Sequence, residues 1–219
     1  KGAILKELDS LPRDTYLQLD VRKTRYLDND IIEISEGSAS MHWFINYGGG
    51  TFSGPEGVDL DPVYDLTGFT VLDIDQDSYL DLVFVADAVI YEKINNGDGT
   101  FQDQESIEGW ADYVYSEDLD NNGYEDLIFT WNDEISWIPN YSGSFGSKVF
   151  IDSFPGELVF YEKVEFMDID GDGTKDPIYN GITNNLIAWN ANQLFESKLL
   201  KGELYFDANG NGVRDTLEF

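Results

Sequence analysis

Three stretches of the chain carry acidic or amide side chains at alternate positions: Asp73-Ile-Asp75-Gln-Asp77-Ser-Tyr79-Leu-Asp81, Asp118-Leu-Asp120-Asn-Asn122-Gly-Tyr124-Glu-Asp126 and Asp168-Ile-Asp170-Gly-Asp172-Gly-Thr174-Lys-Asp176. A hard divalent cation takes about six to eight oxygen ligands, and a tightly coiled loop aims its odd-numbered positions at one centre. The spacing therefore predicts a Ca2+ site in each stretch. Side chains at positions 1, 3, 5 and 9 would bind it, with the main-chain carbonyl of position 7 (Tyr79, Tyr124 or Thr174) completing the set. Position 6 favours glycine because the chain turns there with positive φ. Gly123 and Gly173 meet that demand, whereas Ser78 in the first loop predicts some strain or a slightly different turn.

The loops begin at residues 73, 118 and 168, steps of 45 and 50 residues, so each must sit inside a larger repeat of blade, solenoid or array type. Within one unit, Phe69–Leu72 leads into the loop, Leu80–Val85 leaves it, and Val89–Ile94 follows. Asn95-Asn-Gly-Asp-Gly99 then reads as a hairpin turn, with Thr100-Phe101 opening a fourth run. Four short antiparallel strands per repeat is the pattern of a propeller blade. The third run and its turn recur as Trp43-Phe-Ile-Asn46, Trp137-Ile-Pro-Asn140 and Trp189-Asn-Ala-Asn192. The expected fold is all-β: a β-propeller, or part of one, with about four repeats of four-stranded antiparallel blades.

Counting upstream finds Asp20-Val-Arg22-Lys-Thr24-Arg-Tyr-Leu-Asp28, a loop of the same length in which only positions 1 and 9 survive. This predicts a metal-free copy, with the Arg22 guanidinium between Asp20 and Asp28 in place of the cation. In the last loop Pro177 follows position 9. Without an N–H to donate, it predicts a strand that starts one residue late.

The Asp-x-Asp-x-Asp-Gly-x-x-Asp-Leu loop followed by Asn-Asn-Gly-Asp-Gly-Thr-Phe resembles the FG-GAP/VCBS repeat family, the calcium-loop β-propellers that include the integrin α-subunit head. The resemblance covers roughly residues 15–200. It implies that each loop joins the first and second strands of a blade on one face, that ligands bind the opposite face, and that further blades lie upstream.

A later loop, Asp207-Ala-Asn209-Gly-Asn211-Gly-Val213-Arg-Asp215-Thr-Leu-Glu218, repeats the first nine positions and adds Glu at position 12. The blade loops have Phe84, Phe129 and Tyr179 there. Glu218 predicts an EF-hand-type site with a bidentate terminal carboxylate. The segment resembles the opening of calcium-bound B-type sandwich modules of bacterial surface proteins, the alternative being a shortened last blade. The expected division is 1–200 for the blades and 201–219 for the start of a following module.

The net charge of −30, from 43 acidic and 13 basic residues, argues against nucleic acid, anionic lipid or polyanionic sugar as partners. Four bound divalent cations would still leave the chain strongly acidic. There is no cysteine, so calcium takes the cross-linking part that disulfides play elsewhere. Extracellular calcium saturates even weak sites, which points to an extracellular or cell-surface location. The chain opens on Lys1 with no signal peptide and no apolar run long enough for membrane insertion, and reads as a piece of a larger polypeptide.

Catalysis has few candidates. His42 is the one histidine, expected to be structural, and neither a Gly-x-Ser-x-Gly elbow nor a phosphate-binding glycine loop is present. The chain is read as a binding or scaffold module rather than an enzyme, the alternatives being the non-catalytic blades of a polysaccharide lyase or glycosidase, or an architectural spacer. Trp43, Trp137 and Trp189 occupy equivalent positions and are expected to pack between blades. Trp110 and Trp131 have no equivalents in the other repeats and are expected in connections opposite the calcium loops. Together with Tyr113, Asn132 and Asp133 they form a candidate carbohydrate- or protein-binding patch.

Overall fold

The structure, a computed structural model, describes residues 17–20, 30–35, 40–132, 134–153, 164–181, 186–190 and 201–203. Four antiparallel sheets of four strands follow one another along the chain. The first blade contains β1 (Leu17–Asp20), β2 (Ile31–Ser35) and β3 (Ser40–Phe44). After a small hairpin of β4 (Asn46–Gly48) and β5 (Thr51–Phe52), β6 (Glu56–Gly57) completes it. The second blade is β7 (Leu66–Leu72), β8 (Asp81–Ala86), β9 (Val89–Lys93) and β10 (Glu105–Gly109). The third is β11 (Tyr113–Glu117), β12 (Asp126–Trp131), β13 (Glu134–Ile138) and β14 (Val149–Ser153). The fourth is β15 (Val164–Met167), β16 (Asp176–Gly181), β17 (Leu186–Asn190) and β18 (Lys201–Glu203). In every sheet strands pair in chain order, the up-and-down arrangement of a propeller blade. Among the described residues no helix is long and apolar enough to cross a membrane.

Alternation along the strands explains how the blades stack. Successive side chains of a strand point to opposite faces. On β7 and β8, Phe69, Val71, Leu82 and Phe84 pack against Ile32, Ile34, Met41 and Trp43 of the first blade. Their neighbours Leu72, Val83 and Val85 pack against Val114, Leu127 and Phe129 of the third. A smaller cluster of Leu119, Ile128, Ile135, Trp137 and Val164 joins the third blade to the fourth. Because both faces are covered, β8 is buried from end to end, and its sequence reads as a continuous apolar run after Asp81. Burial of each such side chain contributes about 1.5–3 kcal/mol. Trp43 and Trp137 lie between blades as expected. Trp189 lies on β17, opposite Ile178.

Three expectations are corrected. The fourth strand of the second blade begins at Glu105 rather than Thr100. Phe101 instead closes the hairpin as an isolated bridge to Asn95, and Gln102 N–H donates to the Ile94 carbonyl at 2.8 Å. Pro177 does not delay its strand on the β15 side, where Met167 pairs with Asp176 and Phe166 with Pro177. The delay falls on the other edge: pairing with β17 starts at Ile178, whereas the equivalent ladders start at Leu82 and Leu127.

The third correction concerns the first blade. Asp20 pairs with Ile32 inside the β1–β2 ladder. In the other blades that register belongs to Thr70, Tyr115 and Glu165, three residues before the loop. Asp20 is therefore a strand residue, and the fixed-offset count fails because the β2–β3 connection is longer than the turns after Ala86 and Trp131. Arg22, Thr24 and Asp28 lie outside the described residues.

Phe84 is fully buried in the contact between the first two blades. Phe84→Ala should lower the unfolding free energy by about 3–5 kcal/mol, read as a fall in the denaturant midpoint. Val149→Ala, on a half-exposed side chain, should stay within about 0.5 kcal/mol of the parent. Equal midpoints for the two variants would contradict the packing described.

Candidate metal centres

Each loop joins the first strand of a blade to the second, and position 9 is the opening residue of that second strand. The paired ends are equivalent in all three cases: Leu72 with Asp81, Glu117 with Asp126, Met167 with Asp176. The backbone is held by the carboxylates themselves. Position 1 accepts the N–H of position 6 at 3.0 Å in every loop, from Ser78 to Asp73, Gly123 to Asp118 and Gly173 to Asp168. Position 3 accepts the N–H of position 5, from Asp77 to Asp75 at 3.3 Å, Asn122 to Asp120 at 3.0 Å and Asp172 to Asp170 at 3.1 Å. Position 5 accepts the N–H of position 7, at 2.8 Å for Tyr79 and Tyr124 and 2.7 Å for Thr174.

Ser78 keeps the common turn at φ 74°, against 90° and 92° for Gly123 and Gly173, so the serine adopts the left-handed conformation rather than altering the loop. Position 4 also has positive φ, at Gln76, Asn121 and Gly171. The sequence reading missed that second left-handed residue, because of the three blade loops only the Asp168 loop marks it with glycine.

Position 9 is the buried end of each site. Asp81, Asp126 and Asp176 are fully buried, and one oxygen of each accepts the position 2 N–H, from Ile74, Leu119 and Ile169 at 2.8, 3.0 and 2.9 Å. The other oxygen of Asp81 accepts Asn95 N–H, and that of Asp126 accepts Asn140 N–H, both at 2.8 Å. These asparagines end the third run of the blade, and their side chains return a bond to the Leu80 and Glu125 carbonyls. The sequence pattern displays the asparagines at matching places, yet their attachment to the position 9 carboxylate appears only in space.

The first blade supplies the missing counterpart. Asp30, also buried, accepts Asn46 N–H at 2.7 Å with one oxygen and Trp43 Nε1–H at 3.1 Å with the other. Asp30, not Asp28, is therefore its position 9. An indole N–H takes up an oxygen that binds the loop backbone in the other blades.

Carboxylate oxygens of Asp73, Asp75 and Asp81, of Asp118, Asp120 and Asp126, and of Asp168, Asp170 and Asp176 lie within 4.8 Å of one another in each triad. The all-oxygen donor set suits a hard divalent cation. Asp73 Oδ1 is buried without a hydrogen-bond partner, the condition of an oxygen shaped for a cation. Burial, reinforced by the neighbouring Asp75 and Asp77, pushes the Asp81 carboxyl up to about 6 despite the Asn95 and Ile74 N–H donors. Burial likewise pushes Asp126 up to about 7, with Asp120 and Asp118 adding to the rise. These clusters can therefore hold a metal ion, and a divalent cation would offset the crowding of charge. The Asp207–Glu218 loop lies outside the described residues.

The tryptophan patch sits at the other end of the strands. β12 runs from Asp126 at the acidic loop to Trp131, which ends the strand rather than lying in the connection as expected. Trp110, 66% exposed, meets it with ring centroids 5.3 Å apart and planes at 50°. Trp110 has φ 66°, an uncommon conformation for a bulky residue, and its N–H donates to the Ala88 carbonyl at 2.6 Å. Asn132, with φ 52°, donates its N–H to Asp112 Oδ2 at 2.9 Å. Tyr113 opens β11 and is half-buried, and Asp133 lies outside the described residues. His42 faces Glu33 across the β2–β3 ladder, its Nδ1 3.4 Å from Glu33 Oε1.

Residues 28–84, from just before Asp30 through the second strand of the second blade, match the model of the FG-GAP-like repeat. Among solved structures the chain is similar to an Agrocybe aegerita lectin described as recognising non-reducing terminal N-acetylglucosamine. The TM-score is 0.60 and the identity 19%, over 83% of this chain and 50% of the lectin. This likeness shows a shared fold, and the chain spans about half the length of that neighbour. A Photorhabdus luminescens Tc holotoxin pore structure matches with TM-score 0.45 and 23% identity, over 74% of this chain and 8% of that one. A search of curated proteins gives no match.

The raised carboxyls have a measurable consequence. Between about pH 4 and 7 the folded, metal-free protein binds more protons at Asp81 and Asp126 than the unfolded chain does. Its stability should therefore fall as pH rises through that window. Melts in EDTA should give a higher Tm at pH 5 than at pH 8, and a Tm that is equal or higher at pH 8 would contradict the buried-carboxylate account.

Proposed function

We propose that the chain is a calcium-stabilised binding or adhesion module of a large secreted or cell-surface bacterial protein. The observation that carries this reading is the recurrence of one Asp triad at the same turn of three successive blades. Asp73, Asp75, Asp77 and Asp81, with the Tyr79 carbonyl, would hold the first ion, and the equivalent residues of the Asp118 and Asp168 loops the others. When bound, the cation supplies positive charge and cross-links the loop to the second strand. The chain's own residues then do the positioning, since position 9 already ties loop, second strand and third-strand asparagine together. A chain without cysteine gains from such ionic cross-links, and extracellular calcium levels suit modest-affinity sites.

The ligand is placed on the face opposite these loops, at Trp110 and Trp131. An exposed indole held in a strained backbone conformation, beside Asn132 and Asp112, offers an apolar plane edged by hydrogen-bonding groups. Carbohydrate is the ligand class it suits first, and the fold is one that a lectin also uses. The acidic chain disfavours anionic sugars, leaving neutral ones. In this reading the blades extend through β18 to Glu203, three residues past the 200/201 boundary expected from the sequence, and residues 204–219 begin a following module, with the rest of a larger polypeptide as neighbour.

Two measurements test it. Millimolar Ca2+ should raise the Tm above its value in EDTA at pH 8, by mass action on the folded state, and superimposable melts would refute the calcium part. On a neutral-glycan array the parent should bind, with loss of signal in EDTA and on Trp110→Ala. Binding unchanged by Trp110→Ala would remove the patch from the account.

A further inference from the structure

The acidic loops touch one another through residues that are not ligands. Asn121, position 4 of the third-blade loop, donates Nδ2–H to the Gly173 carbonyl of the fourth-blade loop at 3.0 Å. The peptide linking Gly173 to Thr174 is then gripped at both ends, because Thr174 N–H donates to Asp172 Oδ1 at 2.7 Å. That peptide leads directly into Thr174, whose carbonyl is the position 7 ligand. Asn121 in turn holds a left-handed conformation, φ 56°, between Asp120 and Asn122, so gathering those two side chains onto an ion fixes its aim. Beside this bond, Lys175 pairs with Glu117, whose Oε1 also accepts Asp118 N–H at 3.1 Å.

The contact continues in the other direction. Asn122 Nδ2–H donates to the Asn140 carbonyl at 3.0 Å, and Asn140 Oδ1 accepts Gly143 N–H at 3.1 Å. Gly143 lies on the second-blade loop, where an added Cβ would stand 3.5 Å from Asp75 Cα and the Ile74 carbonyl oxygen. Asn122 replaces the aspartate that the other two loops have at position 5, and an aspartate has no N–H to donate.

We propose that the three loops load cations as a linked series, with Asn121 coupling the third-blade site to the fourth and Asn122 coupling it to the second. The inference rests on the cation binding proposed above. Ordering one loop orders the contact its neighbour needs, so the first ion lowers the conformational cost of the next. Linkage of this kind is reciprocal and typically amounts to about 5–150-fold in affinity.

The test is a Ca2+ titration followed by the backbone amide NMR signals of Gly123 and Gly173, which report their own loops separately. Asp120→Asn, which weakens the third-blade site, should shift the Gly173 midpoint to higher calcium by about five-fold or more. Asn121→Gly keeps the left-handed backbone while removing the donor. In that background Asp120→Asn should shift the Gly173 midpoint much less, leaving only the through-space effect of the lost charge. Gln76→Gly, at the same loop position with φ 63°, is the control and should leave the Gly173 response unchanged. An equal Gly173 shift with and without Asn121 overturns the coupling while leaving calcium binding intact. Absence of any calcium response at either amide overturns the binding on which it rests.

Discussion

The structure turns on one buried carboxylate per blade. Asp81 and Asp126 sit where a loop, the start of a second strand and the asparagine just past a third strand converge. Asp176 ties its loop to its second strand, and Asp30 in the first blade accepts from Asn46 and Trp43. A charge taken out of water at such a place costs several kcal/mol unless it is bonded or paired. Two backbone N–H groups meet part of that demand at Asp81 and Asp126, yet burial still raises both carboxyls, so binding of a proton or a cation lowers the remaining cost. Positions 1 and 3 bring carboxylate oxygens within 4.8 Å of this anchor, while position 5 accepts the N–H of position 7. Asp30 shows the other solution: the Trp43 indole occupies its second oxygen.

Packing imposes the second constraint. Second strands covered on both faces must be largely apolar, and after their opening aspartates β8 and β12 are, apart from Thr130. With the body of each blade committed to its neighbours, variation is confined to the connections at either end. One end carries the acidic loops, joined to each other by Asn121, Asn122 and the Gly143 turn. The opposite end is free to carry Trp110 and Trp131, which belong to a single blade boundary and have no place in the repeat. A recurrent acidic-loop face and a variable face at the far end are thus consequences of one strand arrangement.

Much of this was legible in the sequence because the loop chemistry is local. The clustering of positions 1, 3 and 9, the second strand after each loop and the burial of Trp43 and Trp137 follow from spacing alone. Legibility failed where ligands had been lost. In the first blade nothing in the composition distinguishes Asp20, Asp28 and Asp30, and a longer β2–β3 connection spoils counting from Trp43. Only the bond from Asn46 to Asp30 identifies the anchor. The same holds for Asn95 and Asn140, whose part depends on contacts fourteen residues away. The shift of the Pro177 defect to the β17 edge was hidden too, because a sequence does not say which neighbour a missing N–H would have served.

The central claim is that positions 1, 3, 5, 7 and 9 of each blade loop surround a cation. Anomalous diffraction from crystals grown in calcium, or soaked with a lanthanide in its place, tests it most directly. The account predicts a peak within each of the Asp73, Asp118 and Asp168 loops, at oxygen-ligand distances of about 2.3–2.6 Å for calcium. Loops that keep their fold in millimolar calcium with no anomalous density inside them would contradict it.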